Sequence, residues 1–219
     1  MIQMYSTILY NDEVIGMKNS ELKSLARQQL KGRWVKMVLY FFVYLAVITI
    51  PSIVIGFNSE SSNSNAELTF NILSIIISGP ISLGISCFCL NFIKNEEKLM
   101  DILWGFKKFG KAFVAYILMA IAITIGFILL IVPGIIVSLM YSQVYYILAE
   151  NEDMSAIEAI KESTRIMKGN KFRLFKLGLS FIGWFILGVI TLGIGFLWIT
   201  PYYTITLTNF YKEISAPEY

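Results

Sequence analysis

The sequence contains no histidine and few charged residues. Only 15% of its 219 residues are Asp, Glu, Lys or Arg, whereas a soluble domain normally carries about a quarter. The missing histidine removes the commonest transition-metal ligand and the usual general base at neutral pH. These absences disfavour most metal-dependent and hydrolytic chemistry.

No catalytic constellation stands out. The sequence has no nucleophile elbow, phosphate-binding glycine loop or zinc-binding histidine pair, so we expect a non-enzymatic protein without a cofactor. Its two cysteines, Cys87 and Cys89, are two residues apart and would point away from each other on a helix. We interpret them as packing residues, and we expect no metal site.

Long uncharged runs are what the sequence does have. They cover 37–57, 68–93, 112–149 and 177–211. A helix of about 20 residues crosses a bilayer, so the first two runs each correspond to one crossing. The last two contain 38 and 35 residues and must turn back. Pro133-Gly134 and Gly193-Ile194-Gly195 mark the predicted turns.

The predicted fold is an all-α integral membrane protein with six transmembrane helices in three hairpins. The predicted spans are 36–57, 70–93, 112–132, 133–149, 174–192 and 196–211. They form one domain over 17–213, between a flexible extension over 1–16 and a short tail over 214–219. The last two spans are short, so they either tilt or enter the bilayer only in part.

All 18 Lys and Arg residues fall on one side of this arrangement. They precede the first span, follow the last one, or lie between the second and third and between the fourth and fifth spans. Positive charge marks the cytoplasmic side of a membrane protein, so we expect both termini in the cytoplasm.

A short basic segment with apolar residues at helical spacing precedes each predicted hairpin, over 20–34, 99–113 and 155–172. Such cytoplasmic amphipathic helices can lie in the membrane interface beside anionic lipid headgroups. The candidate lipid contacts are Lys23, Arg27, Lys31, Arg33, Lys107, Lys108, Lys111, Arg165, Lys168 and Lys171. Simple anchoring of the bundle explains the same charges, and nothing here indicates nucleic acid.

Uncharged polar side chains inside the predicted spans are the candidates for a substrate cavity. They are Ser78, Ser82, Gln143, Tyr145, Tyr202 and Asn209. Serines at 74, 78, 82 and 86 recur every four residues and so share one helix face. That pattern is also typical of close helix packing, and a buried amide often bonds a neighbouring helix. Both explanations remain open.

Several motifs together carry a resemblance to a known family. They are Glu21-Leu22-Lys23, Leu30-Lys31-Gly32-Arg33-Trp34, Val132-Pro133-Gly134, Tyr146-Ile147-Leu148-Ala149-Glu150-Asn151 and Phe181-Ile182-Gly183-Trp184. The chain resembles the bacterial six-span membrane family known as domain of unknown function nine-seven-five. That family is distantly similar to the membrane domain of some glycerophosphodiester phosphodiesterases. The resemblance implies a bacterial plasma-membrane protein and transfers no catalytic or binding residue.

Two function hypotheses follow. The first is a non-enzymatic accessory component that faces lipid or binds a membrane-protein partner or a second copy of itself. The alternative is a small permease or transporter subunit, or a self-protection protein against membrane-active peptides. A water-filled polar path to the bilayer midplane would favour the alternative, and a dry bundle the first.

Overall fold

A computed structural model describes residues 16–42 and 64–216, and every regular element in these ranges is a helix. We number the helices α1 (Asn19–Leu30), α2 (34–42, where the described range ends), α3 (Ser64–Ile93), α4 (Asp101–Lys107), α5 (Phe109–Leu129), α6 (Ile131–Met140), α7 (Val144–Glu150), α8 (Ala156–Ile166), α9 (Lys171–Leu179), α10 (Ile182–Ile190) and α11 (Phe196–Ser215). The all-α prediction is confirmed for this part of the chain.

Within the described residues, four helical stretches are long and apolar enough to cross a membrane, and they suggest a membrane protein. They are Asn71–Ile93 in α3, Phe109–Leu129 in α5, Ile131–Glu150 across α6 and α7, and Lys171–Ile190 across α9 and α10. Most of the predicted first span, and nearly all of the predicted extension over 1–16, lie outside the described residues. The predicted sixth span lies in α11, whose threonines and Asn209 make it less apolar than these four.

The turn after α5 lies three residues earlier than predicted. Leu130 is extended, with φ −168° and ψ 158°, and Pro133 stands inside the first turn of α6. A proline is accepted there because its missing N–H would have no intrahelical partner. The predicted turn at 193–195 is confirmed, since α10 ends at Ile190 and Gly193 adopts a left-handed φ of +90°.

Helices α3 and α4 touch backbone to backbone. A Cβ atom on Gly105 would collide with the carbonyl oxygen of Pro80, and a Cβ on Gly84 would collide with that of Ile102. The absence of both side chains therefore lets α4 lie directly on the middle of α3. Its outer face exposes Leu103 and Phe106.

The apolar face of α1 is covered by the protein. Leu22, Ala26 and Leu30 are fully buried, and α1 packs against α11. This face is therefore packed against protein and is not open to acyl chains, which differs from the contact that the sequence suggested. The reason is a specific partner: the side-chain amides of Gln29 in α1 and Asn209 in α11 bond each other at 2.9 and 3.3 Å.

The three basic segments also differ at their glycines. Gly32 follows α1 and Gly169 follows α8, and both adopt a left-handed φ, of +76° and +86°. A left-handed residue ends a helix and turns the chain toward the next one, and glycine adopts it without strain. Gly110 of the middle segment instead lies inside α5. The first and third segments therefore share a left-handed glycine turn that the middle segment does not have.

Helix α8 begins at a capping box, as its sequence predicts. Ser155 Oγ accepts from the Glu158 backbone N–H, and the Ser155 N–H donates to a Glu158 carboxylate oxygen at 2.8 Å. Hydrogen bonds from the Ser155 side chain and backbone lower the pKa of Glu158 below its ordinary value of 4.5.

We expect the capping contribution of Glu158 to disappear in acid. Because the folded pKa lies below the unfolded value of 4.5, the stabilisation is present above that pH and is lost as pH falls through the folded pKa. The melting temperature of Glu158→Ala in detergent should lie below wild type at pH 7, and the gap should narrow below pH 4.5. A gap that stays constant down to pH 3 would contradict this cause.

Candidate functional site

A helix break interrupts the third candidate membrane stretch near its middle. Within Ile131–Glu150, residues 141–143 form turns between α6 and α7. The hydroxyl of Ser142 donates to the carbonyl of Leu139 at 2.8 Å and so competes with the regular helix bonds. The break leaves the Met140 carbonyl and the Gln143 N–H without partners in their own helix.

Ser163 of α8 forms a hydrogen bond with each of these backbone groups. Its hydroxyl donates to the Met140 carbonyl at 2.7 Å and accepts from the Gln143 N–H at 3.3 Å. Ser163 is fully buried, so no solvent can replace it. A broken helix in an apolar environment is stable only when its freed groups find such partners.

Replacing Ser163 by alanine is expected to destabilise the protein by about 1–3 kcal/mol, because two buried backbone groups would lose their partner. Thr164→Ala is the matched control, since the Thr164 hydroxyl donates to the Ile160 carbonyl of its own helix and bridges no break. Thermal unfolding of both variants in one detergent measures the difference. Equal losses of stability in the two variants would show that the broken helix does not depend on Ser163.

A lateral cleft of about 380 Å³ opens beside the break. Its wall is formed by α6, α7, α9, the start of α10, α11 and Phe127 at the end of α5. Among the residues that the structure describes, no charged residue lines it, and its polar side chains are Ser138, Ser142, Gln143, Tyr146 and Tyr203. The hydroxyls of Ser138 and Ser142 donate to the α6 carbonyls of Gly134 and Leu139. The cleft therefore suits a mainly apolar molecule.

Gln143 is the one member of the predicted cavity that lines this cleft. Ser78 and Ser82 donate to the carbonyls of Ser74 and Ser78 in their own helix, so the serine stripe is satisfied within α3. Asn209 is engaged with Gln29 of α1. The structure thus does not bring the six predicted residues together.

The two predicted tyrosines lie elsewhere. Tyr145 lies in α7, and its hydroxyl is buried without a hydrogen-bond partner among the described residues. Tyr202 of α11 packs against Phe181, with ring centroids 5.0 Å apart, and the Arg27 guanidinium lies 5.7 Å from its ring centroid. Neither tyrosine lines the cleft at Gln143.

The predicted lipid-contacting cations fall into groups. Arg33, Lys108 and Arg165 form ion pairs with Glu97, Glu152 and Glu162, and Lys111 donates to the Glu152 carbonyl. Lys23 lies 5.0 Å from the Phe181 ring centroid, and burial, followed by the charge of Arg27, lowers its pKa. Lys171 is partly buried at the start of α9, while Lys31, Lys107 and Lys168 are exposed. The last three are therefore the best placed for an external anion.

A second, polar pocket of about 300 Å³ surrounds Glu150 at the end of α7. The Glu150 carboxylate accepts from Lys212 at 2.7 Å and from the Tyr211 hydroxyl at 2.8 Å. Lys94 lies 4.0 Å from the same carboxylate. Because Glu150 is neutralised by these groups, the pocket has the character of a structural ion-pair network. Among the described residues no cluster of three potential metal ligands occurs.

Sequence reasoning missed Ser163 and the break that it supports. Ser163 follows Ala156 and Ala159 on the buried face of α8, where a small polar residue is a weak sign of a bond to another helix. The consecutive polar residues Tyr141, Ser142 and Gln143 were a second sign, since they interrupt an otherwise apolar run. Only the tertiary structure connects the two.

The chain matches a known family along nearly all of its length. A family model described as "Protein of unknown function (DUF975)" matches residues 17–136 and 122–218. Neither the curated proteins nor the solved structures include a match to the chain.

Proposed function

The chain belongs to the DUF975 family of proteins of unknown function, and from that premise we propose that it is a multi-pass, non-enzymatic protein of a bacterial plasma membrane. It acts there as an accessory component that faces lipid or binds a membrane partner. The observation that carries the proposal is the exposed apolar surface on the candidate spans. Highly exposed side chains on this surface include Ile128, Leu129, Leu130 and Ile131 around the turn between α5 and α6. Val189, Ile190 and Leu192 are similarly exposed around the turn between α10 and α11.

Such a surface is not typical of a soluble protein. Exposed apolar patches on soluble monomers rarely exceed a few hundred Å², whereas here consecutive large apolar side chains are exposed from Phe127 to Val132. The ion pairs Arg33–Glu97, Lys108–Glu152 and Lys212–Glu150 lie away from these two turns, on residues that flank the spans. This separation supports six crossings in three hairpins, with both termini and the basic face in the cytoplasm.

Topology can be tested with single cysteines in a background that lacks Cys87 and Cys89. With a membrane-impermeant thiol reagent, Ile194→Cys should be labelled in intact cells, and Lys168→Cys only after lysis. Labelling of Lys168→Cys in intact cells would reverse the proposed orientation. Extraction of the protein from membranes by alkaline carbonate would refute the membrane proposal itself.

The three basic segments are proposed to bind anionic lipid headgroups through their exposed lysines Lys31, Lys107 and Lys168. Each exposed cation near an anionic surface contributes about 1 kcal/mol. Replacing all three by glutamine should weaken binding of the detergent-solubilised protein to phosphatidylglycerol vesicles, with little effect on phosphatidylcholine vesicles. The matched control is Arg165→Gln, because this exposed cation already pairs with Glu162 at 2.6 Å.

The transporter alternative is supported by the broken helix at 141–143, since discontinuous helices often form substrate sites in transporters. A scan with a water-soluble thiol reagent along 70–93, 133–149 and 196–211 separates the two functions. Periodic labelling that reaches the Ser78, Ser82 and Gln143 faces would establish a wet path and favour transport. Labelling confined to the ends would leave a dry bundle and support the accessory role.

A further inference from the structure

Two cations of α1, Lys23 and Arg27, lie over neighbouring aromatic rings. Lys23 Nζ is 5.0 Å from the ring centroid of Phe181, which precedes α10, and Arg27 Cζ is 5.7 Å from that of Tyr202 in α11. The two rings contact each other, with centroids 5.0 Å apart. Residues four apart on a helix share one face. The packing of α1 therefore brings two positive charges together, and we call Lys23 and Arg27 the cation pair.

No carboxylate compensates the cation pair in the part of the chain that the structure describes. The ion pairs found there join other cations to Glu97, Glu150, Glu152, Glu162 and Glu213. Like charges one helical turn apart repel each other, and burial, followed by the charge of Arg27, lowers the pKa of Lys23. An anion between the two cations would relieve this repulsion.

Both side chains of the cation pair have hydrogen-bond donors for such an anion. The Lys23 ammonium has three donors, and two of them suffice for the Ser180 hydroxyl at 3.2 Å and the Ser180 carbonyl at 3.5 Å. Arg27 is exposed, so its planar fork of donors is accessible. A guanidinium fork beside an ammonium suits the several oxygens of a phosphate group.

An exposed apolar surface lies directly beside the cation pair. Phe181 is a turn residue near the middle of the candidate membrane stretch Lys171–Ile190. Ile182 and Trp184 follow it on α10 and are 47% and 43% exposed. The Trp184 ring contacts the Tyr202 ring edge to face, with centroids 6.1 Å apart. A phosphate at the cation pair therefore has a surface for hydrocarbon next to it, which suits a lipid better than a small soluble anion.

We propose that the cation pair binds the phosphate of a phosphomonoester lipid, such as phosphatidic acid, whose acyl chains lie along the exposed side of α10. The inference rests on the proposed membrane location and adds a defined site and a headgroup class to it. A phosphomonoester carries about −1.5 to −2 charges at pH 7, which matches two cations. A phosphodiester such as phosphatidylglycerol carries a single negative charge. Charge matching therefore favours the phosphomonoester.

The test is native mass spectrometry of the purified full-length protein in one detergent. Phosphatidic acid, phosphatidylglycerol and phosphatidylcholine with identical acyl chains are titrated separately. One molecule of phosphatidic acid should bind saturably and about tenfold more tightly than phosphatidylglycerol, because its additional charge strengthens the hydrogen bonds to the cation pair. Phosphatidylcholine should not saturate the site.

A variant of the exposed cation tests the site itself. Because Arg27 is exposed, we expect Arg27→Gln to fold normally. It should weaken phosphatidic acid binding about tenfold and remove the preference over phosphatidylglycerol, whereas Arg27→Lys should keep part of that preference. The matched control is Arg165→Gln, which makes the same change at an exposed arginine that already pairs with Glu162 at 2.6 Å. This control should bind phosphatidic acid as wild type does.

Three results would overturn the proposal. Equal affinity of the wild type for phosphatidic acid and phosphatidylglycerol would exclude a phosphomonoester site. Equal losses for Arg27→Gln and Arg165→Gln would show attraction by overall charge and not by the cation pair. Displacement of phosphatidic acid by a large excess of glycerol 3-phosphate would identify a water-soluble phosphate as the ligand. None of these results bears on carbonate extraction or cysteine topology, so failure here remains distinguishable from failure of the proposed membrane location.

Discussion

Adding one methyl group at Gly105 is expected to destabilise this protein by more than about 3 kcal/mol, because overpacking of two backbones leaves no flexible side chain to yield. The Cβ of alanine at this position would overlap the Pro80 carbonyl oxygen and crowd the Gly84 nitrogen at 2.8 Å. Helices α3 and α4 would have to separate. We expect Gly105→Ala to lose its monodisperse peak in detergent gel filtration and most of its yield.

The sign of this change in stability distinguishes the close contact between α3 and α4 from an effect of helix propensity. In a helix alanine is more favourable than glycine by about 1 kcal/mol, so helix propensity alone predicts that Gly105→Ala is stabilising. Gly110 lies five residues later, and a Cβ there meets nothing within 4 Å. Gly110→Ala should therefore raise the melting temperature slightly. If both variants are equally stable, the close contact between α3 and α4 is not present in the protein.

The second large effect is expected for Arg33→Ala, at about 2–4 kcal/mol, because it removes the main partner of a buried carboxylate. Arg33 Nη2 lies 2.6 Å from a Glu97 carboxylate oxygen, and the Glu97 side chain is 6% exposed. The same guanidinium donates to the Phe92 carbonyl at 3.0 Å and to Asn95 Oδ1 at 2.7 Å. It also stacks on the Phe92 ring, 3.7 Å from the centroid.

Arg33 therefore joins the start of α2 to the end of α3 through a planar group. Lysine keeps the charge but not the fork of donors, so Arg33→Lys should recover only part of the lost stability. Arg165→Ala is the matched control, because its ion pair with Glu162 is on the surface, with the arginine side chain 71% exposed. That variant should change stability by less than about 0.5 kcal/mol. Comparable losses for Arg33→Ala and Arg165→Ala would argue against a buried pair.

Arg33 also shows how a charged residue is misjudged from sequence alone. Its position in a basic segment before an apolar run suggested an anionic lipid contact, as for Lys108 and Lys111. The acidic partners Glu97 and Glu152 lie far from these cations along the chain. Charge flanking an apolar run was readable in the sequence, but whether each cation meets a carboxylate or remains exposed depends on how the loops fold back.

The serines and glycines give the same lesson for packing. Spacing of four residues correctly placed Ser74, Ser78 and Ser82 on one face of α3, but it could not tell a cavity from bonds to the preceding turn. The sequence likewise shows where glycines provide a small side chain for close packing. It did not indicate that Gly84 and Gly105 face α4 and α3 while Gly110 faces open space.

Composition and hydropathy by themselves determined that this chain is helical and rich in segments long enough to cross a membrane, because the length of an uncharged run and its breaks are local properties. They also located the capping box of α8 and the turn at Gly193, whose signals lie within a few residues. The break at 141–143 and the bridge from Ser163 were decided only by the tertiary structure. Their physical reason is that a hydrogen bond between helices depends on the distance between groups that are 20 or more residues apart in sequence.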